Sequence, residues 1–492
     1  MKKIAVIGSG FAGLTSSIEL ASMGYDVTVF EKNDQPGGRA RKLKVDGFTF
    51  DMGPSWYWMP DVFDKFFAKH GKTTGSYYNL KKLDPGFTVF FGKDDCLSVP
   101  ASFDDLVTKF EDIESGSGQK LRKFISNAEI KYKIAMTEFV YKPSHSILEF
   151  INYKVLKGAF SLSIFTNIRS YVKKYFRNSK LIKLMEFPVL FLGATPSNTP
   201  ALYSIMNYSG LYQGTYYPMG GFNEVISAFV NLAKEKGVKI VCNAEVSKIH
   251  VNNSRANALS ISGENHNFDG FVAGADYNHV EQVLLDEEYR NYSKDYWDKR
   301  EMAPSSLLFY VGVDQKLKGL DHHVLFFDED FDKHAEEIYE SPKWPSSPLF
   351  YLSCTSLTDP SVAPKGKENL FFLIPLAPGL KDSKEMRDKY FDIVLRRLKE
   401  LTGNDISDKI IYKKSYCVSD FEKDYHAFKG NAYGLANTLR QTAVLKPRMK
   451  NKKISNLFYT GQLTVPGPGV PPSIISGQVV AKELNNYLNK QK

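Results

Sequence analysis

The sequence predicts an α/β protein that opens on a βαβ unit, carries a mainly helical insert, and builds a second, mixed sheet in its later half. Three observations predict this. Lys3 to Ile7 is a short run of strand-forming residues, glycines at 8, 10 and 13 follow it directly, and a helix-patterned segment from about Leu14 to Met23 leads into a second strand, Asp26 to Glu31.

The glycines have separate physical tasks. Gly8 permits the tight turn, Gly10 lets the backbone approach a pyrophosphate, and Gly13 lets helix and strand pack closely. Phe11 and Ala12 stand between Gly10 and Gly13, ahead of a helix whose N-terminus supplies free N–H groups and positive potential to phosphate. Glu31 closes the second strand about twenty residues after the glycines, where an acid hydrogen-bonds a ribose hydroxyl, and Lys32 follows it. An acid at this point disfavours a 2′-phosphate ligand. Further on, Gly37-Gly38-Arg39 offers close backbone approach beside a guanidinium fork suited to a diphosphate, and Gly53-Pro54-Ser55 follows Phe50-Asp51-Met52.

At 492 residues the chain is long enough for two or three interleaved units with a large core. A hydrophobic share of 43% and a charged share of 24% exclude disorder, collagen-like repeats and a coiled coil. Cys96, Cys242, Cys354 and Cys417 lie far apart with no CxxC pair, so neither a zinc site nor a disulfide framework is signalled and a reducing cytoplasm is expected. The opening MKKIAVIGSGFAGL has lysines before an apolar run, but its glycines and Glu19 read as a strand and turn instead of a targeting segment. No apolar run is long enough to span a bilayer, so any membrane contact is expected to be peripheral. The net charge of +9 suits anionic headgroups, at about 1 kcal/mol per well-placed Lys or Arg. Nucleic acid is not expected, because the basic residues are dispersed and none of its recognition signatures occurs.

Later in the chain, GTYYPMGGFNE precedes a helix pattern to about Lys236 and then GVKIVCNAEVSKI. Runs at Leu307–Val313, Leu349–Ser353 and Leu370–Ile374 read as strands of a second sheet with little functional content of their own. His322 and His323 are adjacent, and adjacent side chains diverge, so a surface loop is expected there. At the end, a strand reaching Thr460-Gly461 and a helix starting around Pro472 place another helix N-terminus after Gly469-Val470. Negative charge developing on a reduced ring system there would be favoured by roughly 0.3 to 1 kcal/mol, or up to about 2 when partly buried.

The arrangement VIGSGFAGL, VFEKNDQPGGRA and DMGPS resembles the two-dinucleotide-binding-domain flavoproteins, which include amine oxidases, protoporphyrinogen oxidase and carotenoid desaturases. The resemblance implies a Rossmann-like FAD-binding domain, with Gly38 and Arg39 along the diphosphate and Gly53, Pro54 and Ser55 near the flavin ring. It further implies that Val246 contacts the adenine through its backbone, that Asp276 is exposed to the cofactor at a strand end, and that Gly461, Gly469, Val470 and Ile474 surround the flavin. The run LFYTGQLTVPGPGVPPSIISGQVVA, with KGNAYGLA and YYPMGGF, is similar to bacterial-type phytoene and carotenoid desaturases. FAD-dependent removal of hydrogen from C–C single bonds of a C40 polyene is therefore expected, either of phytoene or at the 3,4 bond of a later carotenoid, with oxygen or a membrane quinone as electron acceptor. A carotenoid cis–trans isomerase or saturase on the same fold is the alternative within enzymes; a prenyl or lipid escort protein is the alternative outside them. No side chain is singled out as a catalytic base, and no metal is needed.

The expected organisation is FAD-binding at 1–62, 213–285 and 430–492, a mainly helical, membrane-facing insert at 63–212, and a substrate-domain sheet at 286–429. Within the insert, residues 147–176 mix Phe150, Tyr153, Leu156, Phe160 and Phe165 with Lys154, Lys157, Arg169, Lys173 and Lys174. Such a segment either lies in a bilayer interface at the inner face of the cell membrane or is core on one side and solvated on the other.

Overall fold

In the computed structural model, which describes residues 1–150 and 166–490, three separate stretches of chain build one parallel sheet. Its strands run in the order Leu457–Tyr459, Gly270–Ala273, Lys3–Ile7, Asp26–Phe30 and Lys239–Val241, each parallel to its neighbour. A sheet of this kind is covered on both faces, and Ile4, Ala5 and Val6 are accordingly fully buried. One face receives three helices: Phe11–Ser22, Asn223–Glu235 and the C-terminal Val470–Asn489. Phe11 packs edge-on against both Phe222 and Phe229, at 6.1 and 5.3 Å between ring centroids.

A mixed sheet forms the second layer, in the order Ile410–Tyr416, Ser305–Val313, Glu368–Leu376, Phe350–Ser353, His323–Phe326, Phe87–Gly92 and Asp95–Val99. The three strands expected from the apolar runs are all present. Its last two strands belong to the stretch read from sequence as helical and without strand-turn-strand alternation, and that reading fails at residues 80–99. Phe87-Thr88-Val89-Phe90 is buried throughout, so it shows no inside–outside alternation, yet it is bounded by Pro85-Gly86 and Gly92 as a strand should be. Among its other described residues the insert is mainly helical, with Phe103–Ile113 and Ser117–Glu138 as the longest elements.

The two histidines are also misplaced by the sequence reading. His323 is fully buried in a central strand, stacked on Trp56 at 4.3 Å and hydrogen-bonded through Nδ1 to the Tyr351 hydroxyl at 2.6 Å. His322 is buried against Tyr217. Adjacent side chains do diverge, but a sheet covered on both faces buries both directions. Burial holds His322 down to about 3, so it stays neutral.

Of the basic-aromatic stretch 147–176, residues 151–165 lie outside the described residues. In its final part Ile168, Tyr171, Val172 and Phe176 are buried, and Arg169 pairs with Glu186 at 2.8 Å and Asp332 at 2.5 Å. This part packs into the protein. No helix among the described residues is long and apolar enough to cross a membrane.

A buried acid ties the parallel sheet to the loops behind it. Glu281 accepts hydrogen bonds from the backbone of Asn291 (2.8 Å) and Tyr292 (3.0 Å) and from the Tyr459 hydroxyl (3.0 Å). Burial outweighs these bonds and pushes its carboxyl up to about 7. The folded state therefore binds a proton that the unfolded chain has already lost between about pH 4.5 and pH 7, so the Glu281 contribution to stability rises as pH falls through that window, by about 3 kcal/mol at most. Chemical denaturation across that range should show this slope in the wild type and lack it in Glu281→Gln.

Candidate functional site

The strand–glycine–helix corner at the N-terminus forms one wall of a cavity of about 300 Å³ between the two sheets. Gly8 has φ +92°, and a Cβ there would meet the backbone of Gly274 and Ala275 at 3.2–3.4 Å. A Cβ on Gly13 would stand 2.0 Å from the Gly8 carbonyl, so this glycine serves helix–strand packing and does not line the cavity. Gly10 is different: nothing lies within 4 Å of its Cβ position, which faces open space. It caps the first helix without a side-chain hydrogen bond, and that helix has no acid in its first turn. Its leading N–H groups, with Phe11 and Ala12 on the cavity wall, are thus left for an anion.

A second helix start reaches the same cavity. Gly469, with φ +112°, caps the C-terminal helix, again with no side-chain cap and no acid in the first turn. Gly469 and Val470 line the cavity, whereas Ile474 is one turn further on and buried in the core. The two helices are held together at Gly477, whose Cβ would stand 2.6 Å from the Ala12 carbonyl. Gly461, with φ +106°, lies on the wall between them and donates its N–H to Ser476 Oγ at 3.0 Å.

Glu31 is buried at the other end, with Oε2 accepting from Ser9 N (2.9 Å) and Oγ (2.6 Å) and Oε1 from Asn33 N (2.9 Å) and Nδ2 (3.0 Å). The carboxylate is thereby fixed in one orientation beside Lys32 on the cavity wall. Val246 lines the same end. Asp276 accepts from Asn278 N, His279 N and Phe428 N, and burial raises its carboxyl despite the Arg39 charge.

Between the two ends, Gly38 stands at φ +56° with its Cβ position 3.2 Å from Gly10 Cα, and Arg39 follows it. Arg39 gives Nη2 to the Asn431 carbonyl at 3.1 Å, while its buried Nε has no protein partner. Gly53 allows the chain to cross Arg39, whose carbonyl would be 2.3 Å from a Cβ, and Pro54 lines the cavity beside it. Ser55 departs from its expected place: it lies outside the cavity lining and its Oγ accepts from the Tyr351 hydroxyl at 3.0 Å.

The cavity wall also holds residues that no local pattern marks. Met52, Leu308, Phe371 and Leu373 make an apolar wall, and Asp424, Tyr425 and His426 close the polar end. All but Met52 come from the 286–429 stretch, read as carrying little function, because only the packing of one sheet over the other brings them to the cavity. Leu308 and Leu373 could be read as strand residues; nothing in the chain marks which strand face meets the cavity.

Residues 11–485 match the model of the flavin-containing amine oxidoreductases. The chain belongs to this family. It is an FAD-dependent oxidoreductase, and the cavity fits that cofactor: two uncapped helix N-termini and an unpartnered guanidinium nitrogen suit a diphosphate-bearing flavin. Among relatives, it is 42% identical to a carotenoid 3,4-desaturase of Haloarcula japonica, over 98% of this chain and 97% of that one. It is 32% identical to a 4,4′-diapophytoene desaturase of Staphylococcus aureus, over 98% of each. An oxidoreductase from Methanosarcina mazei has the same fold, with a TM-score of 0.65 at 17% identity across 98% of this chain and all of the other.

Two glycine substitutions should separate folding from cofactor binding. Gly13→Ala drives a methyl group into the Gly8 carbonyl and should destabilise the apo-protein by about 2 kcal/mol or more. Gly10→Ala meets no protein atom and should leave the melting temperature of the apo-protein unchanged, while FAD titration reads an affinity loss of about tenfold or more.

Proposed function

We propose that this protein desaturates a long carotenoid polyene, removing two hydrogens from a C–C single bond and so extending the conjugation. The observation that carries the reading is the 42% identity, along nearly the whole chain, to a carotenoid 3,4-desaturase. When bound, FAD supplies the acceptor for one hydrogen as hydride, the other leaving as a proton, so that CH–CH becomes C=C.

The chain's own residues hold and shield. In this reading the first helix, Gly38 and Arg39 bind the diphosphate, Glu31 holds the ribose, Val246 and the strand behind it face the adenine, and Gly53, Pro54, Gly461 and the C-terminal helix surround the flavin. Met52, Leu308, Phe371 and Leu373 present an apolar surface without a titratable group, which suits a hydrocarbon and excludes water from the reacting bond. Leu373 is shared with a smaller apolar cavity lined by Phe187, Leu190, Phe327, Phe331 and Ile338, a continuation that brings insert residues towards the cofactor. This supports the division into an interleaved FAD-binding unit (1–62, 213–285, 430–492), a substrate sheet (286–429) and an insert (63–212) that delivers the substrate.

Such a substrate resides in lipid, and lipid tails are as apolar as Leu, so entering a tunnel releases little hydrophobic energy. Short access has to replace it. We place the protein peripherally at the inner face of the cell membrane, with the insert as the contact. Oxygen or a membrane quinone then reoxidises the enzyme.

Liposomes carrying phytoene, lycopene or a 1-hydroxylated carotenoid, incubated separately with the FAD-loaded protein, test the reading by mass analysis of the extracted polyene. Loss of one H2 per new double bond in one of these samples is expected. An isomerised product of unchanged mass, or a gain of H2, would contradict desaturation.

A further inference from the structure

We propose that the chain from Cys417 to Gly430, which leaves the last strand of the substrate sheet, is a strap that closes over the adenosine end of the FAD cavity, with His426 as its latch. The strap is anchored at its start by the buried side chains of Val418 and Phe421. Its tip, Asp424 to His426, lies directly on the cavity opposite Glu31 and Val246.

Most ties at the tip reach across to the cofactor-binding unit, and nearly all are polar; Asp424 Oδ2 also accepts from the Tyr416 hydroxyl, at 3.0 Å, on the strand the strap leaves. Asp424 Oδ2 accepts from Arg41 Nη2 at 2.7 Å, and the Asp424 carbonyl accepts from Asn33 Nδ2 at 3.2 Å. Lys32 Nζ donates to the Lys423 carbonyl at 2.5 Å. The guanidinium groups of Arg39 and Arg41 lie over the Tyr425 ring, at 5.2 and 5.1 Å from its centroid. The strap therefore grips the residues immediately after Glu31 and the arginine beside the diphosphate segment, the parts of the chain that hold the cofactor.

His426 is held less firmly than its neighbours suggest. Its Nε2 lies 2.7 Å from Glu245 Oε1 and 3.0 Å from Lys32 Nζ, while its ring stacks on His279 at 3.9 Å with 7° between planes. A protonated Nε2 donates to Glu245 and a bare Nε2 accepts from Lys32; one nitrogen cannot do both. Either state leaves one of the two contacts unsatisfied. Glu245 is half exposed and Lys32 and His426 are about a third exposed, so the remaining attraction is screened and weak. The backbone at the tip is also held away from ordinary geometry, with His426 at φ +50°. The strap is held at both ends, by Val418 and Phe421 before the tip and, after it, by buried Ala427 and the Gly430 carbonyl, which accepts from Ser305 Oγ at 2.6 Å. A contested, partly solvated latch between two firm anchors is the construction of a tip that opens.

Opening the tip uncovers the cavity beside Glu31, Lys32 and Val246, giving the adenosine half of FAD a way in and out without separating the two sheets. The strap then governs how fast the cofactor leaves more than how the flavin reacts.

The test uses full-length protein and FAD itself. FAD release, followed by the rise in flavin fluorescence after dilution with excess phosphodiesterase, which splits released FAD to the more fluorescent FMN, should be about tenfold faster in His426→Ala and in Glu245→Gln than in wild type, with Glu400→Gln on the helix Lys384–Thr402 as the unchanged control. Hydrogen exchange adds a readout that a purely structural role would not move: amides of residues 421–428 should gain protection when FAD is added to the apo-protein, and those of Lys384–Thr402 should not. Release within twofold of wild type in both latch variants, together with equal exchange at 421–428 with and without FAD, would overturn the proposal. An apo-protein melt for each variant separates a loosened latch from a damaged fold, since only the latter lowers it.

Discussion

The close packing of the first helix against the C-terminal helix is the constraint on which the rest of the site depends. Gly13 lets the first helix sit on the opening strand, and Gly477 lets the last helix lie on the first, with room for no added atom at either point. Two N-termini far apart in sequence thereby converge on one cavity, each capped by a glycine that contributes no side-chain acceptor. Uncapped N–H groups in a partly buried place are costly unless something accepts from them. The first helix leaves such groups in its opening turn, while the C-terminal helix, whose Pro471 and Pro472 have no N–H, adds the Val470 N–H and its dipole, a demand that an anionic, diphosphate-bearing cofactor meets. Arg39, with a buried and unpartnered Nε, adds to the same demand.

The second sheet answers a different requirement. It meets the cavity with Leu308, Phe371 and Leu373, side chains that neither donate nor accept, alongside the single hydroxyl of Ser306, and it shares Leu373 with the small apolar cavity on the insert side. One chain thus presents a polar half that fixes a dinucleotide and an apolar half suited to hydrocarbon. The strap from Cys417 to Gly430 joins the two halves, since it is the continuation of a substrate-sheet strand and ends on residues of the cofactor-binding unit.

Much of this was legible in the sequence where function depends on backbone geometry. Gly8, Gly10, Gly13, Glu31, Gly38 and Arg39 stand at fixed distances along a strand–turn–helix unit, and the structure brings all of them to one corner. Ser55 was legible as part of a motif but turns away to Tyr351, because the residue after Pro54 already belongs to the packing between the sheets. The strand Phe87–Gly92 escapes a local pattern because continuous burial of its first four residues erases the alternation that marks a strand, and the buried histidines do so because nothing local states that a strand is central. Tyr425 and His426 carried no signal at all. Their positions follow from how one sheet docks on the other, a long-range outcome that a local pattern does not encode.

The most direct measurement is an anaerobic absorption spectrum of the FAD-loaded protein mixed with liposomes that carry its polyene. The account predicts that the oxidised-flavin band bleaches in step with a red shift of the polyene band, one flavin for each new double bond. A polyene that shifts while the flavin stays oxidised, or a flavin that bleaches with no polyene change, would contradict it.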